Sequence, residues 1–366
     1  MFETLLVVLT ILYSIQLILF FLSVKFVRYT ADDSYRPNVS VIIAARNEET
    51  NIRSCLTSLT HIEYPDYLLE IILVDDQSED GTARIIDEFA AQSTLIRQVT
   101  AQRGEKNLQG KANAVAQGVD VATGDVLMFT DADCTVPPTW VSDTVKYFSN
   151  ESIGIVAGYT SLRARGVFQS IQSLDWFFLV TVAAATIGLR FPVTAVGTNF
   201  SVRRKAYDEV GGYSNISFSV TEDYALFHAI TSRTRFRACL PSDEATLVES
   251  EPCSTLFQLF RQKLRWFRGG KDMSFPKLLL YSVSYAFHSL LCVAIFSQHW
   301  PAVSVALLLK LSCDFILLYP AIKRFKTRKL MKFFPMFELY YSAYILIFPI
   351  LVILGLPIQW KDRKFS

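Results

Sequence analysis

The sequence predicts an α/β domain carried between apolar ends that read as membrane helices, and three observations lead there. The 366 residues are 51% hydrophobic, with a mean hydropathy of +0.29, and the excess sits at the two ends of the chain. The middle, from about residue 29 to 275, alternates short apolar runs with amphipathic helical patterns, as βα units around a largely parallel sheet do. Acidic residues stand where several of the strand-like runs end.

At the N-terminal end, residues 5–24 form an uncharged run of 20, about the length that spans a bilayer core as a helix. A cleaved signal peptide is the rival reading. It fits less well, because Met1-Phe2-Glu3 lacks basic charge, the run is long and no small-x-small site follows. Lys25 and Arg28 after the run favour a cytoplasmic exit. Three further apolar stretches cover about 278–297, 301–322 and 334–358, the first two joined by only Gln298, His299 and Trp300 as a tight helical hairpin. Between the second and third, KRFKTRKLMK carries six Lys or Arg from Lys323 to Lys332 and no acid, which marks a cytoplasmic loop. A full third crossing would place Lys361, Arg363 and Lys364 outside, against the same rule, and Pro335, Pro349 and Pro357 leave a re-entrant pass open.

In the middle, the first strand is expected at 39–45, with its helix starting near Glu48. The second strand, 71–74, ends in Asp75-Asp76, and Asp80-Gly81-Thr82 caps a helix through Phe89. A third strand near 96–99 and a helix from Lys111 lead to a strand at 126–130, which delivers Asp131 and Asp133 at its carboxyl end, where open α/β sheets bind ligands. The apolar run from Trp176 to Leu189, bounded by Asp175 and Arg190, is short for a span and reads as a buried or interfacial helix. Residues 256–267 have helical spacing of apolar and polar side chains, as an amphipathic helix at a membrane surface does.

The chemistry lies in the order of the acids. Neither a Gly-rich dinucleotide turn nor a P-loop follows the first strand, which ends in Ala44-Ala45-Arg46-Asn47-Glu48. Phosphate is therefore handled by a metal and by side chains. Asp131 and Asp133 can bind Mg²⁺ or Mn²⁺, which keeps coordination positions for diphosphate and water. An isolated Asp-x-Asp is more often a solvated turn, but this one follows a buried strand. Asp75 and Asp76 suit a base N–H and ribose hydroxyls, with helix capping as the plain alternative and Asp76 preferred. Thr221-Glu222-Asp223 opens a helix, so its acids also favour the helix dipole. Asp223 is the expected general base, with Glu222 in support. Arg265 can neutralise a departing diphosphate, beside Gln262 and Trp266. Lys111 is either a phosphate contact or a solvated helix start. Four scattered histidines and six cysteines, none at metal spacing, read as structural, the cysteines reduced. A formal net charge of +2 gives no nucleic-acid signal.

Taken together, VSVIIAARNEE, ILVDDQSEDGT, FTDADC, AVGTNFSVRR, VTEDYAL and QKLRW resemble the membrane-bound branch of glycosyltransferase family 2 over about residues 38–270. The resemblance implies a GT-A nucleotide-diphospho-sugar transferase domain and an inverting hexosyltransferase that uses Mg²⁺ or Mn²⁺. It places Glu48, Asp75, Asp76, Lys111, Asp131, Gln262, Arg265 and Trp266 with the donor, a UDP-sugar more than a GDP-sugar. Asp133 and Asp131 hold the metal, Asp223 and Glu222 do the chemistry, and Thr198 and Asn199 lie near the acceptor. The implied organisation is an anchor at 1–28, a cytoplasmic catalytic domain at 29–253, an interface helix at 254–275 and a transmembrane region at 276–366. The acceptor is a membrane lipid, or in the alternative a growing polysaccharide. A non-catalytic nucleotide-sugar-binding scaffold is the remaining reading.

Overall fold

A computed structural model describes residues 2–104, 108–270, 273–355, 358–360 and 363–365. The chain forms two compact units, one of Met1–Val27, Ala164–Val193 and Pro252–Ser366, the other of Arg28–Arg163 and Thr194–Glu251. In chain order the elements are α1 (Phe2–Phe26), β1 (Val39–Ala45), α2 (Ile52–Leu59), β2 (Leu69–Asp75), α3 (Thr82–Ala90), β3 (Ile96–Thr100), α4 (Gly110–Val121), β4 (Val126–Phe129) and β5 (Cys134–Thr135). There follow α5 (Trp140–Val145), β6 (Ile153–Ala157), β7 (Thr160–Leu162), α6 (Val167–Gly188), β8 (Phe200–Arg203), α7 (Arg204–Glu209), α8 (Glu222–Arg233), β9 (Arg237–Cys239) and β10 (Val248–Ser250). The chain closes with α9 (Leu256–Gly269), α10 (Phe275–Phe296), α11 (Trp300–Arg324), α12 (Phe334–Ile353) and a small hairpin of β11 (Ile358–Trp360) and β12 (Arg363–Phe365).

The sheet unit is built on seven strands in the order β3-β2-β1-β4-β8-β6-β9. The first four are parallel, each reached through a helix, as the sequence pattern predicts. The other half is mixed, because β8 runs antiparallel to both β4 and β6. The strand-helix alternation that argues for parallel pairing stops after β4, where the chain detours through α6. Val39, Val41, Ile42, Ile43 and Ala45 of β1 are all buried, as expected of a parallel strand covered on both faces. From β1 the chain progresses through β2 and β3 on one side and places β4 on the other. The carboxyl ends of β1 and β4 therefore flank a topological switch point, the usual ligand crevice of such sheets. A second sheet, β5-β10-β7, lies in the same unit.

Two tight turns shape that edge. Asn47, after β1, has φ 52°, and Gln77, after β2, has φ 57°, values that non-glycine side chains seldom adopt. Asn47 Oδ1 accepts the Glu79 N–H at 2.9 Å and Ser78 Oγ accepts the Asn47 N–H at 3.1 Å, so the two turns brace each other. Asp80 Oδ1 accepts the Thr82 N–H at 3.0 Å, from one residue before Gly81, which is the N-cap of α3.

In the helix unit, five helices are long and apolar enough to cross a membrane by length and composition: Phe2–Phe26, Val167–Gly188, Phe275–Phe296, Trp300–Arg324 and Arg328–Ile353. On α1 a stripe of Leu6, Thr10, Tyr13, Leu17, Phe20 and Ser23 is buried, while Leu5, Val8, Ile15 and Leu19 are exposed. An apolar outer face of this kind is what lipid tolerates and water does not. The Asp175 boundary expected from sequence does not end α6, which runs for 22 residues and buries 15 of them. Asp175 is itself buried and paired with Lys263, so its charge does not break the helix. Accordingly α6 packs against α1, α11 and α12, and the sheet unit is discontinuous in sequence. A Cβ on Gly188 would meet Ser23 Oγ at 2.4 Å, so glycine permits the close approach of α1 and α6. The hairpin of α10 and α11 forms as expected, through Ser297, Gln298 and His299. Lys361 and Pro357, which bear on whether the last apolar segment crosses fully, lie outside the described residues.

Candidate active site

The carboxyl edge of the sheet gathers the predicted acids of the sheet unit. Asp75 closes β2 and Asp76 follows it, both buried. Asp75 Oδ1 accepts the Ser78 N–H at 3.2 Å, which fixes the turn that presents Asp76. Glu48 sits after β1, its carboxylate accepting from Asn51 Nδ2 at 3.0 Å. Beyond β4 the turn Asp131-Ala132-Asp133 buries Ala132 in the core, and the Cys134 N–H closes it on the Asp131 carbonyl at 3.0 Å.

Lys111, at the start of α4, is not a solvated helix end. Its ammonium bridges Asp131 at 2.5 Å and Glu222 at 2.8 Å, which joins α4, the Asp-x-Asp turn and α8. Burial works against the lysine charge, but Asp131 and then Glu222 outweigh it and hold the group protonated, well above the usual lysine range. Asp133 lies on the other side of this balance. Burial, then the Asp131 and Glu48 carboxylates, push its carboxyl up to about 7, with the Cys134 thiol and Lys111 opposing. The turn therefore carries more negative charge than Lys111 offsets, on hard oxygen donors, and this is chemistry that fits a divalent cation. Among the described residues no three His, Cys, Asp or Glu side chains form a closed metal cluster. An ion held by Asp133 and Asp131 would keep positions for diphosphate oxygens and water.

Asp223 is the other perturbed acid. Its Oδ2 accepts the Gly197 N–H at 2.7 Å and its Oδ1 the Tyr224 N–H at 2.8 Å, so both oxygens are aimed by backbone donors. Burial, then the Glu222 carboxylate, push its carboxyl up to about 6 against the pull of Lys111 and those two N–H groups. Thr221 occupies the N-cap position of α8 without a side-chain cap bond. Its hydroxyl lies 3.1 Å from Ser219 Oγ instead, while Glu222 and Asp223 stand in the first turn of α8, where the helix dipole favours acids.

Thr198 and Asn199 are both buried and hydrogen-bonded within the sheet unit. Asn199 Nδ2 donates to the Tyr159 and Thr246 carbonyls at 2.9 and 2.8 Å, and its Oδ1 accepts from Trp140 Nε1 at 3.0 Å. Thr198 Oγ1 is paired with Thr160 Oγ1 at 2.8 Å. Both side chains hold the turn that carries Gly197. The residue of that stretch that touches the site is Gly197, where a Cβ would come within 2.8 Å of Asp223 Oδ2. Gly197→Ala should move the carboxylate and lower kcat by about 10–100-fold, with a melting temperature near wild type; steady-state kinetics and thermal denaturation check both. Ser250 Oγ and Cys134 Sγ, each 3.4 Å from Asp133 Oδ1, were also not legible as site residues. Gln262, Arg265 and Trp266 lie on α9, in the helix unit.

Two family models match the chain, glycosyl transferase family 2 over residues 40–211 and glycosyl transferase family group 2 over residues 126–356. The chain belongs to glycosyl transferase family 2. A probable glycosyltransferase, YdaM of Bacillus subtilis, is 30% identical over 239 residues, 64% of this chain and 56% of that one. Beta-monoglucosyldiacylglycerol synthase of Trichormus variabilis is 30% identical over 244 residues, 64% of this chain and 49% of its own length. Poly-beta-1,6-N-acetyl-D-glucosamine synthase of Staphylococcus epidermidis is 25% identical over 243 residues, covering 64% and 55%. The chain thus spans about half the length of the curated relatives it matches. Among solved structures, a mannosyltransferase, PcManGT of Pyrobaculum calidifontis, in complex with GDP-Man and Mn²⁺, superposes with a TM-score of 0.62 at 19% identity. The match covers 93% of this chain and 99% of that one. For this family 2 member the likeness establishes the GT-A fold expected from the motifs.

Proposed function

We propose that this chain is an inverting hexosyltransferase that moves a sugar from a nucleotide-diphosphate donor to a hydroxyl of a membrane lipid. The observation that carries the reading is Asp223: a carboxylate aimed by two backbone N–H groups, with its proton affinity raised toward neutrality, beside a lysine-bridged acidic turn. A base with a value near 6 is suited to taking a proton from an acceptor hydroxyl at physiological pH. Glu222 raises that affinity and holds Lys111. Asp76, which follows β2, would receive the N–H of the nucleotide base, with a uridine diphosphate sugar as the expected donor. Asp133 and Asp131 would hold Mg²⁺ or Mn²⁺, which when bound neutralises the leaving diphosphate. Gln262, Arg265 and Trp266 carry the donor role that their motif gives them. By the charge rule the loop at 323–332 would be cytoplasmic, and Lys25 and Arg28 around the end of α1 favour a cytoplasmic start for the segment that follows.

The lipid acceptor is supported by the relative named beta-monoglucosyldiacylglycerol synthase and by the apolar helices of the helix unit. Tyr13 stacks on Phe287 at 4.6 Å, and Phe178 packs on Tyr341 at 4.8 Å and Phe337 at 5.8 Å. The second reading, a processive polysaccharide synthase, is favoured by the poly-N-acetylglucosamine relative. Mass spectrometry of a deletion strain separates them. Disappearance of a glycolipid is the expected result, whereas loss of a secreted or insoluble polymer with lipids unchanged would overturn the lipid assignment. The purified chain with UDP-glucose, UDP-N-acetylglucosamine or GDP-mannose and Mn²⁺ should release nucleotide diphosphate. Binding without turnover for every donor would indicate a scaffold.

A further inference from the structure

The sequence Gln262-Lys263-Leu264-Arg265-Trp266 contains a side chain to which the function above gives no part. Lys263 is 2% exposed, in the interior of the helix unit, and pairs with the equally buried carboxylate of Asp175 on α6. Its ammonium lies 4.4 Å from the ring centroid of Trp266 and 4.9 Å from that of Tyr344 on α12. The first contact follows from helical spacing, since residues i and i+3 share a face. Trp266 also meets Trp176 of α6 edge-on, at 5.0 Å and 69°. The indole of Trp266 thus has a cation over its ring and an aromatic neighbour across an edge, and each limits its rotation. Tyr340 of α12 reaches the same Asp175 oxygen at 3.4 Å, and Phe267 stacks on Phe348 of α12 at 5.7 Å and 22°. Through Lys263, α9 is tied to α6 and α12 at the level of its motif.

Such a pair is poorly explained by stability. Removing two charges from water opposes their attraction, and apolar replacements of similar volume are often as stable or more so. What the pair does supply is a single register for α9 and a single orientation for Trp266, with Arg265 adjacent. We propose that Lys263, acting through Asp175, is a positioning residue for Trp266 and Arg265 in sugar transfer. This rests on the reading that the motif serves the transfer reaction.

The test uses the full-length chain in lipid nanodiscs, with kcat, donor KM and melting temperature measured together. Two neutral pairs are compared with wild type, Lys263→Met with Asp175→Leu and Lys263→Gln with Asp175→Asn, so that neither leaves a buried charge alone. Both should melt close to wild type and bind donor with KM within about twofold, while kcat falls about 10–100-fold, the cost of a slight misplacement at a reacting centre. Lys263→Arg, which keeps charge and ring contact, should retain more of the rate than either. Wild-type kcat in a neutral pair that melts normally would overturn the proposal. Failure of both pairs to fold would overturn it equally, by making the contact structural. Absence of turnover in the wild type with every donor would instead sink the transferase reading and take this proposal with it.

Discussion

Replacing Asp223 by Asn should lower kcat by about 10²–10⁴-fold, the usual contribution of a general base, while nucleotide binding stays near wild type. The side chain keeps its size, and Asn Oδ1 can still accept from one of the two backbone donors, Gly197 or Tyr224. The pH dependence gives a second signature. The carboxylate is the active form, and with its value pushed up to about 6 the rate should fall about tenfold per unit below pH 6 and level off above it. An aspartate at the ordinary value of about 3.9 would leave the rate flat to near pH 4. The same shift has a sign for stability. A raised carboxyl favours the fold below the unfolded value, and that advantage is lost as pH rises through about 6. Asp223→Asn should therefore melt no lower than wild type at pH 7, so stability is kept while turnover disappears.

The second large effect is expected at Asp133. Asp133→Asn should weaken the apparent affinity for Mn²⁺ at least as much as the roughly 10–100-fold that loss of an outer-shell partner costs. In the wild type, protons compete with the metal for a carboxyl pushed up to about 7. Apparent Mn²⁺ affinity should then rise about tenfold per unit up to pH 7 and level off above it, because only the ionised form is a ligand. Metal titration by calorimetry between pH 5.5 and 8 reads this directly. A profile that is flat over that range would remove Asp133 from the metal site. Chelation of the metal should stop transfer in the wild type and leave the fold intact, since the sheet unit is held by its strands and buried core.

What was legible in the sequence follows from how local each signal is. β1 was bounded correctly at Val39–Ala45 because a parallel strand buried on both faces reads as one apolar run between polar turns. The strand-end positions of Asp75, Asp76, Asp131 and Asp133 followed from the same pattern. α6 was under-measured because a charge normally ends an apolar helix, and the partner that neutralises Asp175 lies 88 residues further on. The bridge from Lys111 to Asp131 and Glu222, the close approach of Gly197 to Asp223 and the internal commitment of Asn199 are likewise tertiary facts, with no local trace in composition or periodicity. The positive φ values at Asn47 and Gln77 were hidden for a related reason, since neither residue is the glycine that usually announces such a turn.

The most direct test of a shared site is an anomalous difference map from crystals of the full-length chain grown with Mn²⁺ and a nucleotide diphosphate. The ion is expected within coordination distance of the Asp133 carboxylate and of both phosphates, with the base against Asp76 and Asp223 facing the open side of the diphosphate. A bound nucleotide whose metal lies away from Asp133, or whose base lies away from Asp76, would contradict the assignment of these acids to one donor site.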